Sequence, residues 1–216
     1  MKNERFINAL KGGGITLAII YSTLSIILEI ANYFLFGKDI ASYSFNGNYG
    51  KLAVFIIILI FMYLFLPAAL FGSSNDVIEG KSISFSSFLQ NGRRLFWRTL
   101  GFSFIYVVPV IFIVAIFSYF FPYIGNSVIA NLLVTTAIQA ILTPLIILNV
   151  IEKNTKGYIK KNYLILLIFS LIICSISLIP IVGKYFYIII DVFYTLLIVS
   201  LYESGEFTEG DMNVQQ

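Results

Sequence analysis

Two carboxylic acids stand inside long apolar runs: Glu29 in IYSTLSIILEIANYF and Asp191 in YFYIIIDVFYTLL. A carboxylate at bilayer depth costs at least about 2.5–3.5 kcal/mol, so each needs a reason to be there. Both fall about seven residues from the outer end of their run, roughly 10 Å below the outer surface if the runs are helical. Asn32 follows Glu29 by one turn, and Asn131 lies at a similar depth in another run. Lys184 precedes Asp191 by two helical turns, on the same face, as a counter-ion or as a side chain reaching toward the headgroups. Glu29, Asn32, Asn131, Asp191 and Lys184 would thus form a polar layer in the outer half of a bundle. Such a layer is a cation or proton site, or the floor of an outward-facing cavity. Alternatively, the two acids are protonated by burial and bond neighbouring helices only for assembly. Either way both acids are expected to face the bundle interior.

A second cluster lies in SISFSSFLQNGRRLFWR, Ser82 to Arg98, the longest polar break in the chain. Phe85, Phe88, Leu89, Leu95 and Phe96 recur at helical spacing, with Arg93, Arg94, Trp97 and Arg98 close together. An apolar stripe beside arginines and a tryptophan predicts an amphipathic helix in the membrane interface. Three roles fit it: an anchor on an anionic cytoplasmic leaflet, at about 1 kcal/mol per basic residue, a dock for a soluble partner, or a contact for a phosphorylated ligand. Gly12-Gly13-Gly14 is no phosphate loop, because the Lys-Ser/Thr that completes one is missing.

Much chemistry is closed to the chain. It has no histidine and one cysteine, Cys174. His/Cys zinc sites and Ser-His or Cys-His nucleophile pairs are therefore excluded within it. No metal, cofactor or nucleic-acid partner is expected, and no catalytic constellation is recognisable. Carboxylate, lysine or tyrosine chemistry remains open.

These residues must be positioned by membrane helices. Of 216 residues, 59% are hydrophobic and 12% charged, with mean hydropathy +0.92. A soluble domain carries about 25% charged residues, so this chain is too poor in polar groups to coat a water-exposed globule. Six apolar runs approach the roughly 20 residues that cross a bilayer: 15–36, 52–71, 100–121, 127–150, 163–179 and 185–202. Hydrocarbon forces backbone groups to bond internally, so the runs are helices, and they are too long for barrel strands. Pro67, Pro109 and Pro144 within them are read as structural, since proline is common in such helices. The expected fold is an all-α polytopic bundle, residues 1–203, of three hairpins. The interfacial helix 82–98 lies between spans two and three, and a mobile acidic tail occupies 204–216.

Basic residues orient it. Lys2, Arg5, Lys11, Lys81, Arg93, Arg94, Arg98, Lys153, Lys156, Lys160 and Lys161 fall on one side of the six runs, against Lys38, Lys51 and Lys184 on the other. The positive-inside rule places the first set, and both termini, in the cytoplasm. Spans two and four also each carry a proline near the cytoplasmic end and then an Ile-Glu pair, Ile78-Glu79 and Ile151-Glu152, which reads as a duplicated hairpin or as ordinary hairpin flanks.

The stretch GKSISFSSFLQNGRRLFWRTLG, Gly80 to Gly101, resembles a group of bacterial six-span membrane proteins, some of them similar to the membrane domain of glycerophosphodiester phosphodiesterase. Pro67, Gly80, Lys81, Phe85, Phe88, Arg94, Phe96, Trp97 and Arg98 carry the match. The soluble domain that gives that family its activity has no counterpart in these residues. The resemblance therefore implies a membrane fold, and that family's activity does not transfer to this chain.

Three functional readings follow. The first is a multi-pass protein of the cell membrane without catalysis of its own, a small transport component or transport accessory. The second is a permease subunit of an ATP-driven exporter or immunity system, with Ser82–Arg98 as the contact for a cytoplasmic ATPase. The third is a membrane enzyme acting on lipid headgroups. It ranks last because only Asp76, Glu79 and Glu152 supply acids at the cytoplasmic interface.

Overall fold

A computed structural model describes residues 2–36, 49–120, 128–179 and 182–204. The expected tail beyond Ser204 and the loop tips at 37–48 and 121–127 lie outside the described residues. Eight α-helices run through the described residues: α1 Lys2–Ala9, α2 Ile15–Phe36, α3 Tyr49–Ile60, α4 Leu66–Ile78, α5 Phe85–Phe120, α6 Val128–Val150, α7 Tyr158–Ser177 and α8 Val182–Ser204. Wider π-helical turns, Leu10–Gly14 and Phe61–Phe65, join α1 to α2 and α3 to α4. Six stretches are long and apolar enough to cross a membrane: Arg5–Phe36, Tyr49–Ile78, Phe85–Ala115, Ala130–Val150, Tyr158–Ser177 and Tyr185–Ser204. The chain is a multi-pass, all-α membrane protein.

The sixth run is the hub. Half of the most apolar window of α8 is buried, against 6% for that of α5. α8 packs on α1, α2, α4, α6 and α7. α2 and α8 run antiparallel: Tyr21 bonds Asp191, and a methyl added at Gly14 would lie 3.1 Å from Leu196.

Burial is uneven along the bundle. Leu66, Ala68, Ala69, Leu70, Ile147, Leu148, Val150, Tyr158, Leu196, Ile198 and Val199 are almost wholly enclosed. By contrast, Ile56, Ile57, Phe104, Ile105, Phe112, Ile113, Leu164 and Phe186 stand exposed, as lipid-facing side chains do. The packed half includes the end where Arg5 Nη1 donates to the Glu203 carbonyl (2.8 Å) and Lys153 pairs with Glu203 (2.7 Å). We call this the basic end.

Apolar contact with lipid is as good as apolar contact with protein, so close backbone approach decides which faces meet. α4 supplies it with Ala68, Ala69, Gly72 and Ser73, all buried. Gly72 seats Asn91 and Leu95 of α5, while Gly92 of α5 seats Phe65 and Ala69. This interlock changes the expectation for residues 82–98. Phe85–Arg98 is no separate helix but the first part of α5, which continues unbroken through Thr99–Gly101 into the third span. Thirty-six residues make a helix about 54 Å long, against a hydrocarbon core of about 30 Å. Its leading turns therefore extend past the lipid core or tilt within it.

Candidate functional site

The helix ends around Gly72 build a cavity. α4 stops in a Schellman turn: the Gly80 amide donates to Val77 O (3.0 Å) and the Lys81 amide to Asp76 O (2.9 Å). Gly80 holds the left-handed position at φ +80°, where a side chain would be strained. α6 stops in the same way, Glu152 donating to Asn149 O and Lys153 to Leu148 O, with Glu152 itself at φ +64°. A non-glycine residue held left-handed costs roughly 1–2 kcal/mol and is commonest near functional sites. The two turns also bear on the duplicated hairpin. Aligned on their left-handed residues, Gly80 matches Glu152, so the two Ile-Glu pairs fall one residue out of register.

Between these turns and α5 lies a cavity of about 530 Å³, lined by Gly72, Asn75, Asp76, Glu79, Lys81, Arg94, Leu95, Arg98, Val150, Ile151 and Glu152. Asp76 and Glu79, from the end of α4, and Glu152, far from them in sequence at the end of α6, all line it. Lys81 Nζ reaches Asp76 (3.0 Å) and Glu79 (2.7 Å). Asn91, buried at the α4–α5 interface, donates to Asp76 Oδ2 (2.7 Å) and to Ser73 Oγ (3.2 Å). Asn75 donates to Glu79 (2.7 Å). Arg98 pairs with Glu152 and donates to Val150 O (3.4 Å), tying α5 to the end of α6. Arg94 makes no ion pair with a described residue. Trp97 stands 74% exposed beside it.

The Lys81 hydrogen bond holds the Glu79 carboxyl below its usual range, against an opposing push from burial and with lesser help from Asn75. Glu79 in turn, with Asp76, raises Lys81. A depressed acid stabilises the fold above its unfolded-state pKa and loses that contribution as pH falls through the folded one. A raised lysine acts in the opposite sense, at alkaline pH. The clamp is therefore intact across neutral pH. We expect Lys81→Met to lower the melting temperature slightly at pH 7, and the gap from the parent to close as the solution is acidified through the Glu79 range. A gap that widens in acid would contradict the sign.

The intramembrane residues are brought together only in part. Asp191 meets Tyr21, whose hydroxyl lies 3.4 Å from Oδ2, and its backbone carbonyl accepts from Thr195 Oγ1 (2.9 Å). Tyr21 is two turns from Glu29, about 12 Å along α2. The acids are thus at different levels, and the same register carries Glu29 level with residues 183–184. The side chain of Lys184 is not among those described. Asn131 is elsewhere, exposed and lining a separate cavity of about 260 Å³ between α6 and α7 with Thr135, Cys174 and Ser177. Asn32 and Glu29 are half-buried on α2.

Sequence reasoning had Arg94, Arg98 and the three acids in hand but not their convergence, nor Asn75 and Asn91. The available signal was the small-residue pattern Ala68-Ala69-x-x-Gly72-Ser73, which marks the face of α4 that another helix approaches closely. No family model, no curated protein and no solved structure matches the chain, so the resemblance at Gly80–Gly101 identifies no family.

Proposed function

We propose that this is a protein of the cytoplasmic membrane with both termini inside, serving a transport system without catalysing a reaction itself, and that it engages its partner at the basic end. The observation that carries the reading is the cavity between the ends of α4 and α6 and the arginine face of α5. It sits at the end rich in lysine and arginine, and two of its three acids are already engaged by one lysine. An acid held in an ion pair by a neighbouring lysine is poorly placed to act as a base. The continuity of Phe85–Arg98 with the third span favours the permease reading within this class, because a partner docked there would pull directly on a membrane-crossing helix.

The test has two parts. Tags at either end should be protected from externally added reagents in intact cells. A photo-crosslinker placed at Gln90, exposed one turn before Arg93, should capture a cytoplasmic ATPase, and Arg93→Glu should abolish capture. An externally labelled terminus, or capture untouched by charge reversal, would overturn the reading. A second reading, a headgroup-modifying enzyme, gains from Asp76, Glu79 and Glu152 lining one cavity. Lipid turnover by purified protein that is lost in Asp76→Asn would establish it instead.

A further inference from the structure

The charges in the cavity do not merely cancel. On the α4 wall one cation, Lys81, faces two carboxylates, Asp76 and Glu79. Across the cavity two cations, Arg94 and Arg98, face one carboxylate, Glu152. One side is net negative and the other net positive, each by a single charge. Asn75 Oδ1, an acceptor with no donor among the described residues, lies on the negative side. The volume falls within the few hundred Å³ typical of small-molecule sites.

From this the geometry points to a binding site for a zwitterion carrying a phosphate and a primary amine, an aminoalkyl phosphate, either as a phospholipid headgroup or free. It deepens the reading of the basic end as the working end. The phosphate sits on the arginine side, where the planar fork of Arg94 offers paired donors and has no carboxylate to surrender. The ammonium sits on the α4 side, where it donates to the Glu79 carboxylate, the more exposed of the two acids. A choline headgroup has the charge but no N–H to donate. A glycerol headgroup has the phosphate but no cation.

The test uses the full-length chain in detergent. It is titrated with short-chain phosphatidylethanolamine, phosphatidylcholine and phosphatidylglycerol and, separately, with free phosphoethanolamine. Binding is read by native mass spectrometry and by emission of the single tryptophan, Trp97. The ethanolamine lipid should bind about tenfold or more tighter than the other two, the step expected for one charge-assisted hydrogen bond. Arg94→Gln should weaken it by a similar factor, with Arg94→Lys partly restoring it, and Glu79→Gln should erase the preference for ethanolamine over glycerol. These side chains are exposed, so the variants should melt close to the parent. Binding of phosphoethanolamine as tight as the lipid identifies a free ligand, and weaker binding identifies a headgroup. Equal binding of the three lipids, or an Arg94→Gln protein that binds like the parent, would overturn the site. Neither result bears on ATPase capture from Gln90, so this inference and the functional reading can fail separately.

Discussion

Gly72→Val should cost this protein more stability than any other glycine-to-valine change at the α4–α5 interface. A Cβ at position 72 meets Asn91 Cβ and Leu95 Cδ1, each at 2.9 Å, closer than real carbon contacts come. Leu95 has a flexible end that can turn aside. Asn91 does not, because the contact is at its Cβ, next to the backbone, and its amide is committed to Asp76 and Ser73. The two helices must separate, and that loosens the reciprocal seat of Gly92 against Phe65 and Ala69. Overpacking typically costs about 1–3 kcal/mol, and a branched side chain in a site too tight for a methyl belongs at or above the top of that range. Gly92→Val should be milder, since the first atoms it meets belong to the rim of the Phe65 ring. Gly101→Val is the control on the same helix. A Cβ there meets nothing within 4 Å, and valine is the better helix former by a few tenths of a kcal/mol. Melting temperatures in detergent should therefore rank Gly101→Val at or above the parent, then Gly92→Val, then Gly72→Val. A Gly72→Val protein melting with the parent would mean that α4 and α5 do not approach as closely as described.

That interface also shows what a single sequence can and cannot carry here. The spans are legible because hydrocarbon demands an uninterrupted apolar run about 20 residues long, and nothing else in the chain imitates one. Composition alone bounds Ile15–Phe36, where α2 begins and ends. The partners of each span are not legible in the same way. Lipid-facing and protein-facing surfaces are both apolar, so the periodicity that marks the buried face of a soluble helix fades. The surviving clues are small residues and polar residues. The first, in Ala68–Ser73, point straight at the α5 contact. The second mislead about level. Glu29 and Asp191 sit equally far from the ends of their runs, yet the register between α2 and α8 sets Asp191 against Tyr21. Register between helices more than 140 residues apart is decided by packing that neither run encodes alone. The same holds for the cavity. Its acids come from two stretches of chain that composition reads as ordinary hairpin flanks, and only the two helix-ending turns bring them to one cavity. The polar character of Ser82–Arg98 suggested an independent interfacial helix. Its glycine at position 92 instead locks it to α4, and the helix has no reason to break before the apolar run begins.

Tyr158 offers the clearest separation of a side chain's volume from its hydroxyl. It opens α7 just after the left-handed Gly157, is fully buried, and donates to the Ile198 carbonyl of α8 at 2.8 Å. Its ring also lies 6.0 Å from that of Tyr202. The Ile198 carbonyl sits inside α8, where it is already an intrahelical acceptor, so it stays satisfied when the hydroxyl is removed. Tyr158→Phe should then cost only the net worth of one hydrogen bond, about 0.5–1.5 kcal/mol. Tyr158→Ala removes the ring from the joint between the basic end of α7 and the hub helix. Substitution of a buried aromatic by alanine costs about 3–5 kcal/mol, more where the surroundings cannot collapse. They are poorly able to do so here, since Ile198 and Val199 are themselves wholly enclosed. Thermal melts should place Tyr158→Phe near the parent and Tyr158→Ala far below it. The loss should appear first as faster hydrogen exchange in the leading turns of α7, because those turns are held to α8 by this side chain. If the two variants melted together, the hydroxyl and not the ring would be what joins α7 to α8, and the basic end would be held by polar bonds instead of packing.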